Sequence, residues 1–250
     1  MSTRYLGIID WGIGGTGIYK LIKSDLRDVP VIYFSDTGVT PYGKLARQDL
    51  ITRINKLIAF LESCGVSHLV IGCNAASTVI PFLNARQMRI EGMIDGAVAA
   101  AAKMRPSRLA LIGGRRTVLS GVYRRAFQGR GIEIRQRIAQ PLSGLIESGD
   151  IDSSELRDRC RQILSPIRDC SHLLLACTHY PAITPVLREF VAKETVVIDP
   201  ARELVKTIRR WRLPRRASDL FFTTGDPGAM KTAAWNAFGI RIESIRRTVI

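Results

Sequence analysis

The sequence has no apolar run long enough to cross a bilayer, so no helical membrane span is expected. It has no Cys-x-x-Cys pair, which argues against a structural zinc site, and no metal site is expected. It has no low-complexity segment and no zinc-finger, homeodomain or RNA-recognition motif. Acidic residues are scarce: 22 Asp and Glu stand against 37 Lys and Arg, a net charge of +15. A field of that sign attracts nucleic acid or anionic metabolites. With no recognition motif beside them, the basic clusters read as solvated helix faces and loops, and nucleic acid is not the expected partner. These clusters are Arg115-Arg116, Arg124-Arg125, Arg209-Arg210, Arg212, Arg215-Arg216 and Arg246-Arg247. The start, Met1-Ser2-Thr3-Arg4, leads straight into a strand-like run, which reads as a chain without a signal peptide. Five cysteines without a small secreted scaffold point to free thiols in a reducing, cytoplasmic compartment.

What is present is enough apolar material, 46% of the residues, for one large domain or two small ones. Two stretches look like copies of one idea. Leu69 to Ser77 reads Leu-Val-Ile-Gly-Cys-Asn-Ala-Ala-Ser, and Leu173 to Pro181 reads Leu-Leu-Leu-Ala-Cys-Thr-His-Tyr-Pro. Each is an apolar run, a small residue, a cysteine, a polar residue and a helix start. A short apolar run bounded by turn signals reads as a buried strand. Cys73 and Cys177 then sit at strand tips, facing the first turn of the next helix, where open α/β sheets bind ligands. A helix start also favours thiolate. Each cysteine alone could be an inert packing residue. Asn74, Thr178 and His179 are odd neighbours for that role.

Around these stretches, strands alternate with helices. Tyr5–Asp10 reads as a strand, followed by the glycine turn 12–17 and a helix through Ile18, Leu21 and Ile22. Val31–Phe34 is a second strand with Asp36 after it. Together these match a dinucleotide fingerprint, but Asp10 directly before the turn would meet a bound pyrophosphate. The alternative is a turn that lets the backbone approach some other ligand. Thr40-Pro41-Tyr42-Gly43 reads as a turn, and a helix is expected from Lys44 to about Ser63. A helix is expected from Ser77, interrupted at Pro81, and another over Gly92–Lys103. Leu109–Ile112 and Ile132–Ile138 read as strands, with Thr117, Ser120 and Tyr123 on one helix between them. Pro141–Gly149 is a short helix, and Ser153 to about Ile167 a long one capped by Ser153 or Ser154. Pro181 opens a helix continuing from Val186 to Val191. Val196–Asp199 is a strand, Ala201–Trp211 a helix, and Leu213–Ser218 an exposed linker. Leu220–Thr224 is a strand, Ala229–Phe238 a helix, and Ile240–Ile250 a strand or tail. Cys64, Cys160 and Cys170 fall in helical patterns and read as packing residues. The fold class is α/β, with two similar α/β domains, mostly parallel sheets and the site between them.

Two opposed cysteines suit one chemistry in particular. One thiolate removes a carbon-bound proton from one face and the other thiol returns a proton to the opposite face, inverting a stereocentre. The thiol's reference pKa of ~8.5 makes both forms accessible near neutrality. Asp10, and His179 or Glu147, would assist the two thiols. Backbone N–H groups at the helix starts, with Asn74 and Thr178, would hold a carboxylate. No cofactor is required.

With these residues in place, the chain resembles the cofactor-independent aspartate/glutamate racemase superfamily. The resemblance is carried by Gly7–Gly15, Asp36-Thr37 with Pro41-Tyr42-Gly43, Cys73–Ser77, Thr117 with Ser120, Leu145–Gly149 and Cys177–Pro181, in the family's order along nearly the whole chain. It implies two α/β domains, 1–92 plus 208–250 and 93–207, with an interdomain site. It implies Cys73 and Cys177 as the two catalytic bases, Asp10 assisting the first, and Glu147 and His179 assisting the second. Trp11, Pro41, Tyr42, Gly43, Asn74, Ala75, Thr117 and Thr178 would contact substrate. It also implies a small acidic amino-acid substrate, glutamate first, a homodimer, and a link to cell-wall peptidoglycan. Two departures stand out. The glutamate-specific members carry serine where this chain has Trp11, and threonine where it has Ala75. Altered specificity, for aspartate or another amino acid, is the alternative. A catalytically weak homologue acting as a basic binding protein is another.

Overall fold

The computed structural model describes residues 5–85, 88–215 and 217–250. Met1 to Arg4, and Arg216 of the expected linker, lie outside the described residues.

Among the described residues, ten strands alternate with eleven helices. The strands are β1 (Tyr5–Asp10), β2 (Val31–Ser35), β3 (Val66–Ile71), β4 (Arg89–Gly92), β5 (Leu109–Gly113), β6 (Ile134–Ile138), β7 (His172–Ala176), β8 (Val196–Ile198), β9 (Leu220–Thr223) and β10 (Arg246–Arg247). The helices are α1 (Gly15–Asp25), α2 (Arg47–Ser63), α3 (Asn74–Ser77), α4 (Ile94–Lys103), α5 (Arg115–Leu119), α6 (Val122–Gln128), α7 (Gln140–Glu147), α8 (Ser154–Leu164), α9 (Thr184–Arg188), α10 (Pro200–Ile208) and α11 (Pro227–Phe238). One sheet has the order β10-β9-β2-β1-β3-β4 and the other β6-β5-β7-β8, and all their pairings are parallel. The chain thus forms two parallel α/β sheets, and β9 and β10 return to the first.

Parallel strands covered on both faces must be apolar on both, because helical crossovers pack on each side. The period of two then sorts residues between cores. Leu6, Ile8, Val31, Tyr33 and Val70 face one way, into a core shared with Ala110, Ile112, Leu173 and Leu175 of the second sheet. That core also takes residues of α1, α7, α8, α10 and α11, so the two sheets are joined by one continuous apolar body. Ile9, Ile32, Phe34, Leu69 and Ile71 face the other way, against Leu50, Ile54, Leu57, Ile58 and Leu61 of α2. Leu109, Leu111 and Leu174 close the second sheet against α4 and α6.

Both sheets reverse direction at one strand. From β1 the chain goes first to β2 on one side and then crosses to β3 on the other. From β5 it goes to β6 and then crosses to β7. Such switch points open a crevice at the carboxyl ends of the strands. Asp10 and Cys73 stand at the first crevice, Gly114 and Cys177 at the second.

Several expected boundaries move. The helix expected from Lys44 begins at Arg47, because Lys44 N donates to Pro41 O at 2.7 Å and closes a turn. Gly92 ends a strand rather than opening a helix; β4 is a four-residue edge strand with two charged side chains and gives almost no apolar signal. The helix expected from Ser77 is a single turn that ends there, followed by a 3₁₀ turn over Ile80–Phe82. Thr117 and Tyr123 lie on different helices, separated at Gly121, whose φ of +68° is left-handed and favours glycine. The helix at Pro181 is a 3₁₀ turn, Tyr180–Ile183, and α9 stops at Arg188. Ser153 is the cap of α8, its Oγ accepting from Leu156 N at 3.1 Å. Cys160 is buried in α8; Cys170 is also buried, but in the loop before β7 rather than in a helix. The terminal stretch contributes only the two-residue β10.

Candidate active site

The two crevices face each other across one narrow cavity lined from both sheets. Twelve of the thirteen residues expected at the site line it: Asp10, Trp11, Pro41, Tyr42, Gly43, Cys73, Asn74, Ala75, Thr117, Cys177, Thr178 and His179. The thirteenth, Glu147, stands behind His179. Gly114, Gln140, Ser143 and Ala176 line it as well. Gln140 had a readable signal: it opens the helix after β6, at the carboxyl end of a parallel strand. The β6 run, Ile-Arg-Gln-Arg-Ile, is too polar to have marked that end clearly.

On the Cys73 side, Asp10 is 1% exposed at the end of β1. Its Oδ1 accepts from Trp11 N at 2.7 Å and its Oδ2 from Thr178 Oγ1 at 2.6 Å. Burial raises its pKa above the usual carboxylate value, against the opposing pull of His179, Thr178, the Trp11 amide and Cys73. Cys73 caps α3. Burial pushes its thiol well up and the Asp10 charge pushes it further; the Ala76 amide opposes them, Cys177 adds to the rise, and the Ala75 amide opposes it again. The expected thiolate preference at a helix start is therefore overridden here. A one-turn helix offers two amides, and burial beside a carboxylate outweighs them.

On the Cys177 side, His179 is 3% exposed. Its Nδ1 lies 3.7 Å from Cys177 Sγ and its Nε2 2.7 Å from Glu147 Oε2. Burial alone would lower its pKa, but Cys177 and Glu147 together hold it well above the ordinary value. Glu147 Oε2 also accepts from Ile13 N at 2.9 Å, which ties α7 to the glycine turn after β1.

That turn is not a phosphate cradle. A Cβ on Gly12 would collide with the Glu147 carboxylate, and one on Gly14 would lie 2.5 Å from Thr178 Oγ1. The glycines let the first sheet's turn press against the second sheet's site residues. Asp36, the ribose-binding candidate, is fully buried. Its carboxylate is taken by Arg53 Nη2 at 2.5 Å and Nε at 2.8 Å, by Tyr42 Oη at 2.6 Å and by Thr224 Oγ1 at 2.8 Å.

Two expected contact residues have committed polar groups. Trp11 lines the cavity, but its only side-chain donor, Nε1, is spent on Val39 O at 3.0 Å. Tyr42 lends its hydroxyl to Asp36. Asn74 is the converse case. Its Oδ1 accepts from Tyr123 Oη at 2.7 Å, while its buried Nδ2 has no partner among the described residues. An unpaired buried donor is costly, and this one belongs to a residue that lines the cavity.

Comparison with known proteins gives one consistent answer. Residues 6–208 match the family described as Asp/Glu/Hydantoin racemase. A glutamate racemase of Desulforudis audaxviator is 31% identical over 236 residues, covering 92% of this chain and 85% of that one. A glutamate racemase of Gloeobacter violaceus is 30% identical over 241 residues, covering 92% and 91%. The solved glutamate racemase of Francisella tularensis, in complex with D-glutamate, superposes with a TM-score of 0.90 at 22% identity, covering 100% of this chain and 98% of that one. The chain is an isomerase and belongs to the Asp/Glu/Hydantoin racemase family.

Proposed function

We propose that this protein interconverts L- and D-glutamate by a two-base mechanism in which Cys73 and Cys177 act on opposite faces of the α-carbon. The observation that carries the reading is the pairing itself. Each thiol follows the strand beside a switch point, both line one cavity, and each has its own proton partner, Asp10 for Cys73 and His179 for Cys177.

The chemistry follows from the electrostatics. Burial raises the pKa of Asp10 and pushes the Cys73 thiol well up. A substrate ammonium group placed between them adds a positive charge, which draws both pKa values down and generates thiolate as substrate binds. The thiolate takes the α-proton, and the electron pair left on Cα is delocalised into the substrate carboxylate. Asn74 Nδ2 is the donor for that carboxylate, with the Thr117 hydroxyl beside it. Donors fixed in advance in a water-poor cavity stabilise developing charge most strongly. The opposite thiol then delivers its proton to the other face. On the Cys177 side, His179, backed by Glu147, supplies the charge that steadies the thiolate when Cys177 is the base.

In this assignment 1–92 with 208–250 form one domain and 93–207 the other, and a homodimer and a role in supplying D-glutamate for peptidoglycan go with it. The names of the relatives support glutamate. A second reading has its own observation. Trp11 and Ala75 both line the cavity, where neither offers a free hydrogen-bonding group, so aspartate or another amino acid is the alternative substrate.

Proton NMR in D2O under reducing conditions tests both, with L-glutamate, L-aspartate and a wider amino-acid panel. Loss of the α-proton signal with inversion on glutamate supports the proposal. Inversion on another amino acid moves it to the second reading. No exchange on any of them overturns it in favour of a basic binding protein.

A further inference from the structure

The cavity wall formed by Pro41, Tyr42 and Gly43 belongs to a surface segment between β2 and α2, with Thr40, Lys44 and Ala46 exposed. At its start, Val39 O is held by Trp11 Nε1 within the same sheet's unit. In its middle, Tyr42 Oη donates to Asp36 of that unit at 2.6 Å, while the backbone on either side is also fastened from the other unit. Arg116 on α5, the neighbour of cavity-lining Thr117, reaches across the cleft. Its Nε donates to Tyr42 O at 3.3 Å and its Nη2 donates to Leu45 O. Gln140 braces the same turn. Its Oε1 accepts from Arg115 N at 3.0 Å, and a Cβ on Gly43 would come within 2.5 Å of that oxygen.

Arg116 is spent in an unusual way. Among the described residues its guanidinium meets two backbone carbonyls and no carboxylate. Burial and the nearby Arg47 charge both lower its pKa, so a cation is kept here against local electrostatics. The planar fork of arginine suits two carbonyls at once in a way that an ammonium does not.

We propose that Arg116 is a positioning residue, a latch across the cleft that holds the cavity-lining 41–45 segment closed against the second sheet's unit. Ligand entry and release then require both carbonyl contacts to break. The inference rests on the racemase reading for its kinetic consequence, but not for the latch itself.

The test uses the full chain with Arg116→Ala and Arg116→Lys, and two independent readouts. The first is amide hydrogen exchange over residues 40–46, with and without glutamate. It needs no turnover, so the latch is judged even if no amino acid is racemised. Arg116→Ala is expected to speed exchange in this segment about tenfold or more while the α2 and β1 amides stay as they were. The second is KM against kcat. KM for both enantiomers is expected to rise about tenfold while kcat holds within about threefold or rises, because opening becomes easier and the proton-transfer groups are untouched. Arg116→Lys, which reaches one carbonyl at a time, should fall between. Should Arg116→Ala not fold, the lysine variant reads the same exchange. Unchanged exchange over 40–46 overturns the proposal, as does a fall in kcat at constant KM.

Discussion

Thr178 Oγ1 donates to Asp10 Oδ2 at 2.6 Å, so a hydroxyl from the second sheet's switch point steadies the carboxylate of the first. The contact exists only because Gly14 has no side chain to hold the two apart. It links Asp10, the proposed proton partner of Cys73, to the residue that follows Cys177.

Thr178→Val keeps the shape and removes that donor. A hydrogen bond to a buried charged group is worth about 1.5–3 kcal/mol, so kcat/KM should fall about 10- to 100-fold. Enantiomers have equal free energies, so the fall must be the same in both directions. Asp10, already raised by burial, loses an opposing contact and rises further. The acid limb of the pH–rate profile should therefore move up in pH. Thr178→Ser should restore the limb and most of the rate. An unmoved limb in Thr178→Val would show that Asp10 does not set it.

The two thiols make a sharper case. Cys73→Ser and Cys177→Ser should each abolish racemisation, measured by circular dichroism from either enantiomer, because a hydroxyl in the same place is far less acidic. A single variant that keeps full activity in both directions would rule out the two-base scheme. Alkylation should inactivate the wild type, with glutamate protecting Cys73 and Cys177. Cys160 and Cys170 are buried and should react slowly.

Why the cysteines were legible and other parts were not is a matter of how local the signal is. An apolar run, a small residue and a cysteine before polar residues announce a strand tip without any knowledge of the partner strand. Asp10 is visible as an acid placed to assist Cys73, but what the glycine turn packs against is not. The collision a Cβ on Gly12 would make involves Glu147, 135 positions later by subtraction of residue numbers. Arg116 reads as one more solvated arginine, since its two acceptors are backbone carbonyls that carry no sequence signature. The edge strand β4 pairs on one side only, so Arg89 and Glu91 are tolerated and the apolar pattern vanishes. Trp11 stands out as a departure, but only the structure shows it lining the cavity while its indole N–H is tied to Val39.

His179 and Glu147 predict a pH dependence of both rate and stability. Glu147→Gln removes a charge that helps hold the His179 pKa above its ordinary value of 6.5. The alkaline limb of kcat should then move to lower pH in the one direction that uses Cys177 as base, while kcat/KM remains equal in both. The stability effect has a definite sign. A folded pKa raised above the unfolded one contributes stability that is fully present below about 6.5 and is lost as pH rises through the folded value. Urea unfolding of the wild type should therefore weaken more steeply above neutrality than that of Glu147→Gln. Parallel stability–pH curves would show that the pair is not coupled as described.

The substrate question turns on Trp11 and Ala75. Each replaces a side chain that would bring a hydroxyl to the cavity with one that brings none, and a hydroxyl's net contribution is about 0.5–1.5 kcal/mol. Restoring both, as Trp11→Ser with Ala75→Thr, should raise kcat/KM on glutamate about tenfold if the pair has shifted specificity. Ala75→Thr is the cleaner single change, because Trp11 also anchors Val39 and its loss frees one end of the cavity-lining segment. Steady-state kinetics on glutamate and aspartate for the two single variants and the double separate the effects. A gain on glutamate with a matching loss on another amino acid makes these two positions the specificity filter. No gain, with wild-type glutamate turnover already fast, means the glutamate cavity tolerates Trp11 and Ala75 as it stands.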